Sequence, residues 1–355
     1  MVWHMNKQKK WFLGTMAGCI SALLLILLAM VIVDPYFHYH GKIPGISYRL
    51  YYERYINSGI VKNFEYDTII TGSSMNQNFK TSQLDELWGT NSVKVPFSGA
   101  AFQEVMQNLK RAFASDNEIK YVLWGLDYNG LLRDWYHKAY DSYPEYLYDD
   151  NIWNDVSYVW NKELIFQGLI HNLLMTLQGE KSTTFDEYGS WDVGSGWDTI
   201  SKTYQRSEEI LPMQTELTEN EVYIVRRNIG DNIVDLAKAN PEVQFVLFYT
   251  PYSALYWESI YRDGTLLRQL QCEKIATEMM LERENIHLFS FTRETDITGN
   301  LENYRDIEHY TAQINEKILQ WITEGKGRIT KENYEEIIEW EREYYMNFDY
   351  DILYQ

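Results

Sequence analysis

Cysteine is almost missing from this chain. There are two in 355 residues, Cys19 and Cys272. Cys19 lies in a long apolar run near the N-terminus and Cys272 in the polar remainder. With one of them in a bilayer, no disulfide joins them, and so low a count leaves the redox compartment open. Positive charge is also scarce. Lys and Arg total 32 against 51 Asp and Glu, a formal net charge of -19. Such a surface repels phosphate backbones, which argues against nucleic acid as a partner and against broad contact with anionic lipid heads. No internal repeat is present, and the 45% hydrophobic content excludes a disordered chain.

What the chain has in quantity is aromatic side chains. They make up 15% of it, with 29 Tyr and 12 Trp. Flat rings with a polar handle suit sugar binding, and they suit ordinary cores equally well. One uninterrupted apolar run, residues 11–33, is long enough to cross a bilayer as a helix. Lys7, Lys9 and Lys10 precede it, which favours a cytoplasmic N-terminus and an extracytoplasmic remainder. The exit sequence LLAMVIVDP has no good small-x-small cleavage site, so an uncleaved anchor is expected rather than a signal peptide. The organisation expected is a cytoplasmic tail (1–10), a single-pass anchor (11–33), a juxtamembrane linker rich in Tyr, Pro and Gly (34–63), a main domain (64–326) and a C-terminal amphipathic segment (327–355).

Within the main domain, short β-branched and aromatic runs alternate with helical spacing. Strands are expected at Tyr66–Thr71, Val93–Phe97, Tyr121–Leu126, Val243–Tyr249 and Ile286–Phe291. Helices are expected at Phe102–Ala114, Glu219–Ala239, Ser253–Glu284 and Thr311–Glu324. Apolar strands separated by helices predict an α/β fold, a mainly parallel sheet in three α/β/α layers. About 115 residues separate the third and fourth strands, too many for a simple crossover. Their first part, about 128–215, is dense in Trp, Tyr, Asp and Asn. It reads as an insertion over the carboxyl edge of the sheet, where ligands bind in such folds, or as a packing elaboration without substrate contact.

Three stretches carry candidate chemistry. Thr71-Gly72-Ser73-Ser74-Met75 follows the first strand, where a serine hydroxyl is exposed and backbone N–H groups face a developing anion. Ser98-Gly99 follows the second strand, and a glycine there lets the backbone approach a ligand. Asp306-Ile307-Glu308-His309 precedes the last strong helix. Spaced three apart on a helical turn, the carboxylate would hold the imidazole tautomer and stabilise its cation. Asp134 and His137 have the same spacing but fall inside the insertion. The cluster Asp149, Asp150, Asn151, Asn154 and Asp155 lacks the spacing of a calcium loop and reads as a solvated turn. No metal or other cofactor is called for.

The order Gly-x-Ser, Gly, Gly-x-Asp, Asp-x-x-His resembles the SGNH, or GDSL-like, hydrolase superfamily over about Tyr66 to Gly325. By position, Ser74 matches the nucleophile and an oxyanion donor, Gly99 the second backbone donor, and Asp306 with His309 the rest of the triad. With its N-terminal anchor the chain is similar to the branch that acylates cell-surface polymers, which includes alginate O-acetylation and teichoic-acid D-alanylation proteins. The resemblance implies serine-dependent O-acyl transfer or esterase chemistry on an envelope glycan or other acyl-carrying polymer, beside a multi-span membrane acyltransferase. Two positions depart from the pattern. Gly-Asp-Ser is Gly72-Ser73-Ser74 here, and Gly-x-Asn-Asp reads Gly125-Leu126-Asp127-Tyr128. An ionised Asp127 would repel an oxyanion that an Asn would bind. Asp127 is then protonated, or Asn129 supplies the donor, or the hole has backbone donors alone. The rival reading is a non-catalytic glycan-binding or scaffold protein with a relic triad.

Overall fold

The computed structural model describes residues 7–139, 143–191 and 194–354. The first six residues of the expected tail, residues 140–142 and 192–193 of the expected insertion, and Gln355 lie outside the described residues. The chain divides into two compact units. One comprises 1–63 and 144–183, the other 64–143 and 184–355.

The first unit begins with helix α1 (Lys7–Val33), long and apolar enough to cross a membrane. Its length at about 1.5 Å per residue matches a bilayer core with a margin at each end. The chain turns sharply at its exit. Asp34 adopts φ 45°, and its carboxylate accepts from the N–H groups of His38, Tyr39 and His40 and from the Tyr158 hydroxyl at 2.7 Å. The stretch read as a linker contains a helix, α2 (Glu53–Asn63), and fully buried Tyr36 and Tyr48. Aromatic residues this frequent bury more surface than a solvated tether would expose. In the same unit, His38 bonds Asp155 at 2.9 Å, while Asp149 accepts from Asn151 and Asn154 in a local turn.

The second unit is built on one six-stranded sheet: β1 (Thr68–Gly72), β2 (Ser92–Pro96), β3 (Tyr121–Leu126), β4 (Gln244–Tyr249), β5 (Ile286–Ser290) and β6 (Arg328–Ile329), in the order β2-β1-β3-β4-β5-β6. The first five strands are parallel and β6 is antiparallel to β5. Burial runs almost unbroken along the parallel strands, because helices cover both faces. Helix α3 (Thr81–Trp88) packs with α8 (Ala312–Thr323). On the other side, α4 (Phe102–Phe113), α5 (Glu219–Ile229), α7 (Leu266–Leu281) and the C-terminal α9 (Tyr334–Asn347) form a connected group. The mixed α/β class, the mostly parallel sheet and the N-terminal apolar helix agree with expectation. The expected helix 253–284 is two, α6 (Ala254–Arg262) and α7, because Gly264 takes a left-handed φ of 67° between them. The expected helix 219–239 carries a π-helical turn at Gly230–Val234. On α9 the buried face is Ile337, Glu341 and Tyr345, so a carboxyl group enters the core.

Strand order reverses between β1 and β3, since β2 lies on one side of β1 and the later strands on the other. The carboxyl ends of β1 and β3 flank this switch point, where a crevice opens in parallel sheets.

Candidate active site

Every stretch singled out after a strand meets at that crevice. Gly72 ends β1 at φ 132°, where a Cβ would come within 2.3 Å of Asn76 Oδ1. Glycine therefore allows the sharp exit that presents the next two residues. The turn after it is a single 3-10 turn, Ser74–Asn76, rather than the start of a long helix. Ser73 caps it, accepting from Met75 N–H at 3.2 Å. Helix α3 begins only at Thr81.

The Ser74 hydroxyl lies 2.7 Å from His309 Nε2. His309 Nδ1 lies 3.0 and 2.9 Å from the two oxygens of Asp306. Contrary to the expectation of a helical turn, residues 306–309 form a loop closed by a bridge between Tyr304 and Tyr310. Asp306 Oδ1 also accepts from the N–H groups of Glu308, at 2.9 Å, and His309, at 2.7 Å. The carboxylate folds back on its own backbone, as Asp side chains do in turns. That geometry gives the same three-residue spacing as a helix. Burial works to raise the Asp306 pKa, but its bonds to His309 and these N–H groups outweigh it and hold the carboxyl below its usual range. For His309 burial lowers the pKa. The bond and charge of Asp306, with the charges of Glu308 and Asp127, win and raise it.

The cavity beside Ser74 measures about 120 Å³, and Gly99, Asp127, Asn129, Arg133, Tyr252 and Glu308 line it. Asp127 accepts from the Tyr252 hydroxyl at 2.7 Å and from Ser73. Burial pushes its carboxyl up, against the pull of these two bonds and of His309 and Arg133. Asn129 directs its amide N–H to Glu308 at 2.7 Å, and its oxygen accepts from Tyr256 at 3.3 Å. Gly99 adopts φ 64°, and its carbonyl accepts from Arg133 at 3.4 Å. Trp191, from the expected insertion, stands edge-on to His309 with ring centroids 5.8 Å apart. Gln77 and Asn78 anchor it, and Arg305 lies over its ring.

The structure thus brings together Ser74, His309, Asp306, Gly99, Asp127 and Asn129. It leaves the other Asp-x-x-His pair out. Asp134 and His137 are exposed, joined by a turn bond from His137 N–H to the Asp134 carbonyl, and they do not line the crevice. Sequence reasoning missed Tyr252, Glu308, Arg133 and Trp191. Tyr252 carried a signal, since it sits three residues past β4 at the carboxyl edge; Trp191 reaches the site only through tertiary packing.

No family model matches the chain, and no curated protein matches it. One solved structure, a protein from Streptococcus pneumonia provisionally named a platelet activating factor, aligns with a TM-score of 0.40 and 11% identity over 77% of this chain and 90% of that one. A likeness at that level assigns neither family nor activity.

Proposed function

We propose that this chain is a membrane-anchored SGNH-like hydrolase that performs serine-dependent acyl-ester chemistry on a cell-envelope glycan, as O-acyl transfer or ester hydrolysis. The observation that carries the reading is the continuous contact from Ser74 Oγ to His309 Nε2 and from His309 Nδ1 to Asp306. In this reading Ser74 Oγ attacks the ester carbonyl while its proton passes to His309 Nε2. Asp306 holds the imidazole tautomer and stabilises its cation. The tetrahedral oxyanion meets the Ser74 and Gly99 N–H groups. The intermediate collapses, the alcohol leaves with the proton from His309, and an acyl-serine remains. Water or a second hydroxyl, deprotonated by His309, then takes the acyl group.

The glycan, the multi-span membrane acyltransferase as partner and the extracytoplasmic site rest on the resemblance and on the apolar helix preceded by lysines. The cavity of about 120 Å³ beside Ser74 suits a short acyl group such as acetyl. One observation favours the rival, non-catalytic reading: a carboxyl group, Asp127, occupies the crevice where the resemblance expects an amide donor. A fluorophosphonate probe separates the two, because it reacts with an activated serine alone. Labelling of the full chain that maps to Ser74 supports the catalytic reading. A folded chain that resists labelling leaves the binding or scaffold role.

A further inference from the structure

Ser74 and Asp306 engage the two ring nitrogens of His309. Trp191 meets the same ring from another direction, edge-on, with centroids 5.8 Å apart and planes at 74°. Aromatic pairs favour this arrangement. Trp191 is not among the residues that line the cavity beside Ser74. Its contact is with the imidazole, not with the space that an acyl group would fill. The indole is fixed from the serine's side of the site. Its Nε1–H donates to Gln77 Oε1 at 2.9 Å, and its backbone N–H donates to Asn78 Oδ1 at 2.8 Å. Gln77 and Asn78 are buried and lie three and four residues past Ser74. Arg305 lies over the indole at 5.3 Å, and its N–H donates to the His309 carbonyl at 2.9 Å. One side chain therefore touches both the turn that follows Ser74 and the loop that carries His309.

A buried cation anchors the segment behind the indole. Lys94 on β2 is fully buried, and its ammonium donates to the carbonyls of Gln77, Phe79 (2.9 Å) and Asp186 (3.2 Å) and to the Ser190 hydroxyl (3.0 Å). An ammonium taken out of water must keep its donors occupied. Lys94 thus draws residues 77–79 and 186–190 to one point, and Trp191 is the next residue. Tyr310 and Asn315 also reach the serine turn, through the Met75 carbonyl at 3.4 and 3.0 Å. Those bonds hold the backbone of the turn, whereas Trp191 reaches the imidazole ring itself.

We propose that Trp191 is a positioning residue, which holds the His309 imidazole at hydrogen-bond distance from Ser74 and keeps water off one side of the ring. The inference rests on the acyl-ester reading of Ser74 and deepens it. A base that must take a proton from the serine works only within hydrogen-bond reach, and a misplacement of about 1 Å can lower a rate by about 10²-fold. With water kept from that side, the bonds of the imidazole to Ser74 and Asp306 form in a lower dielectric and are stronger.

The test uses the full chain in detergent and two readouts. The first is turnover of p-nitrophenyl acetate. Trp191→Ala lowers kcat by about 10²-fold and leaves KM nearly unchanged, because the indole does not line the cavity. Trp191→Phe, which keeps a ring beside the imidazole, restores most of kcat. The second readout needs no turnover. The low-field proton signal of the His309 Nδ1–H, assigned by its absence in His309→Gln, exchanges with water faster in Trp191→Ala and much less so in Trp191→Phe. Gln77→Met keeps the bulk of that side chain and drops the indole's anchor. It moves both readouts in the same direction by less, so the outcome does not depend on Trp191→Ala folding. Unchanged kcat with unchanged N–H exchange overturns the proposal. So does a loss of kcat that Trp191→Phe does not restore while N–H exchange stays as in the unmutated chain, and so does the lack of any His309 N–H signal in that chain. If the unmutated chain neither turns over the ester nor is labelled by a fluorophosphonate, the acyl reading fails by itself, and the N–H exchange decides for or against Trp191.

Discussion

The Tyr252 hydroxyl donates to the Asp127 carboxylate at 2.7 Å, directly beside the serine whose oxygen contacts His309. Asp127 is thus held by a hydrogen bond from a buried tyrosine. In Asp127→Asn the new amide oxygen can accept from Tyr252 and Ser73, which leaves its N–H group free for the crevice. One oxyanion donor contributes on the order of 2.7–4 kcal/mol to a barrier. Turnover of p-nitrophenyl acetate should rise in this variant. A clear fall would show that the carboxylate assists the reaction.

Within the proposed triad, losses should not add. Ser74→Ala and His309→Ala are each expected to lower kcat by up to about 10⁶-fold, and the double variant by no more than either. Ser73→Ala removes a cap worth about 1 kcal/mol and one bond to Asp127, and it should keep most activity. His137→Ala should change little. Initial rates on an acetyl ester, with folding checked by circular dichroism, give the ranking. An inactive His137→Ala beside an active His309→Ala would sink the site.

The acid limb of the pH–rate profile should lie above the ordinary histidine value. His309 must be neutral to accept the Ser74 proton, and its raised pKa keeps it cationic to higher pH. Glu308 is one of the charges that raise it. Glu308→Gln keeps an oxygen for the Asn129 amide and removes the charge, so the limb should move to lower pH. An unmoved or higher limb, read from kcat/KM against pH, would mean that Glu308 is not felt at His309.

Glu273 on α7 and Glu341 on α9 face each other deep in the core, among Tyr128, Tyr249 and Tyr345. Burial raises both pKa values, that of Glu341 to about 7. Because the folded values lie above the unfolded ones, the stabilising protonated form is fully present below the unfolded carboxylate range. It is lost as pH rises through the folded values. Stability should therefore fall between mildly acidic and mildly alkaline pH. Glu273→Gln should flatten that slope and raise Tm at pH 8 by about 2–4 °C, on the order of 1 kcal/mol. Scanning calorimetry at pH 5 and pH 8 decides. A Tm lowered at pH 8 would show that the charge is needed there.

Protease added to intact cells should remove the globular part and leave the apolar helix behind. Protection of that part, or its release into the medium as a shortened soluble form, would contradict the anchored, outward-facing arrangement.

The parallel strands were legible because buried strands demand unbroken β-branched and aromatic runs. Tyr121–Leu126 shows the same bounds in sequence and structure. Strand β6 was not legible, since Arg328–Ile329 is two residues with no pattern, antiparallel to β5. Ser74, Gly99, Asp127 and the Asp306–His309 stretch stood out because each follows a strand, and strand ends converge in a parallel sheet. The form of the 306–309 loop did not stand out, because side-chain bonds to local N–H groups leave no periodicity. The span 128–215 read as one insertion, yet 144–183 falls in one unit and 184–215 in the other. Aromatic density is equal on both sides of Thr183–Thr184, so composition gives no break there.

The loop between Tyr304 and Tyr310 carries its own registration. Asp306 grips the imidazole and the backbone that bears it with the same carboxylate. Asp306 and His309 are therefore tied together within one loop, independently of the strand that carries Ser74. What remains adjustable is a single joint, the gap between Ser74 at the end of β1 and His309 on this loop. Distant substitutions that slow the proposed reaction should do so by opening that joint, and they should leave the Asp306–His309 contact in place.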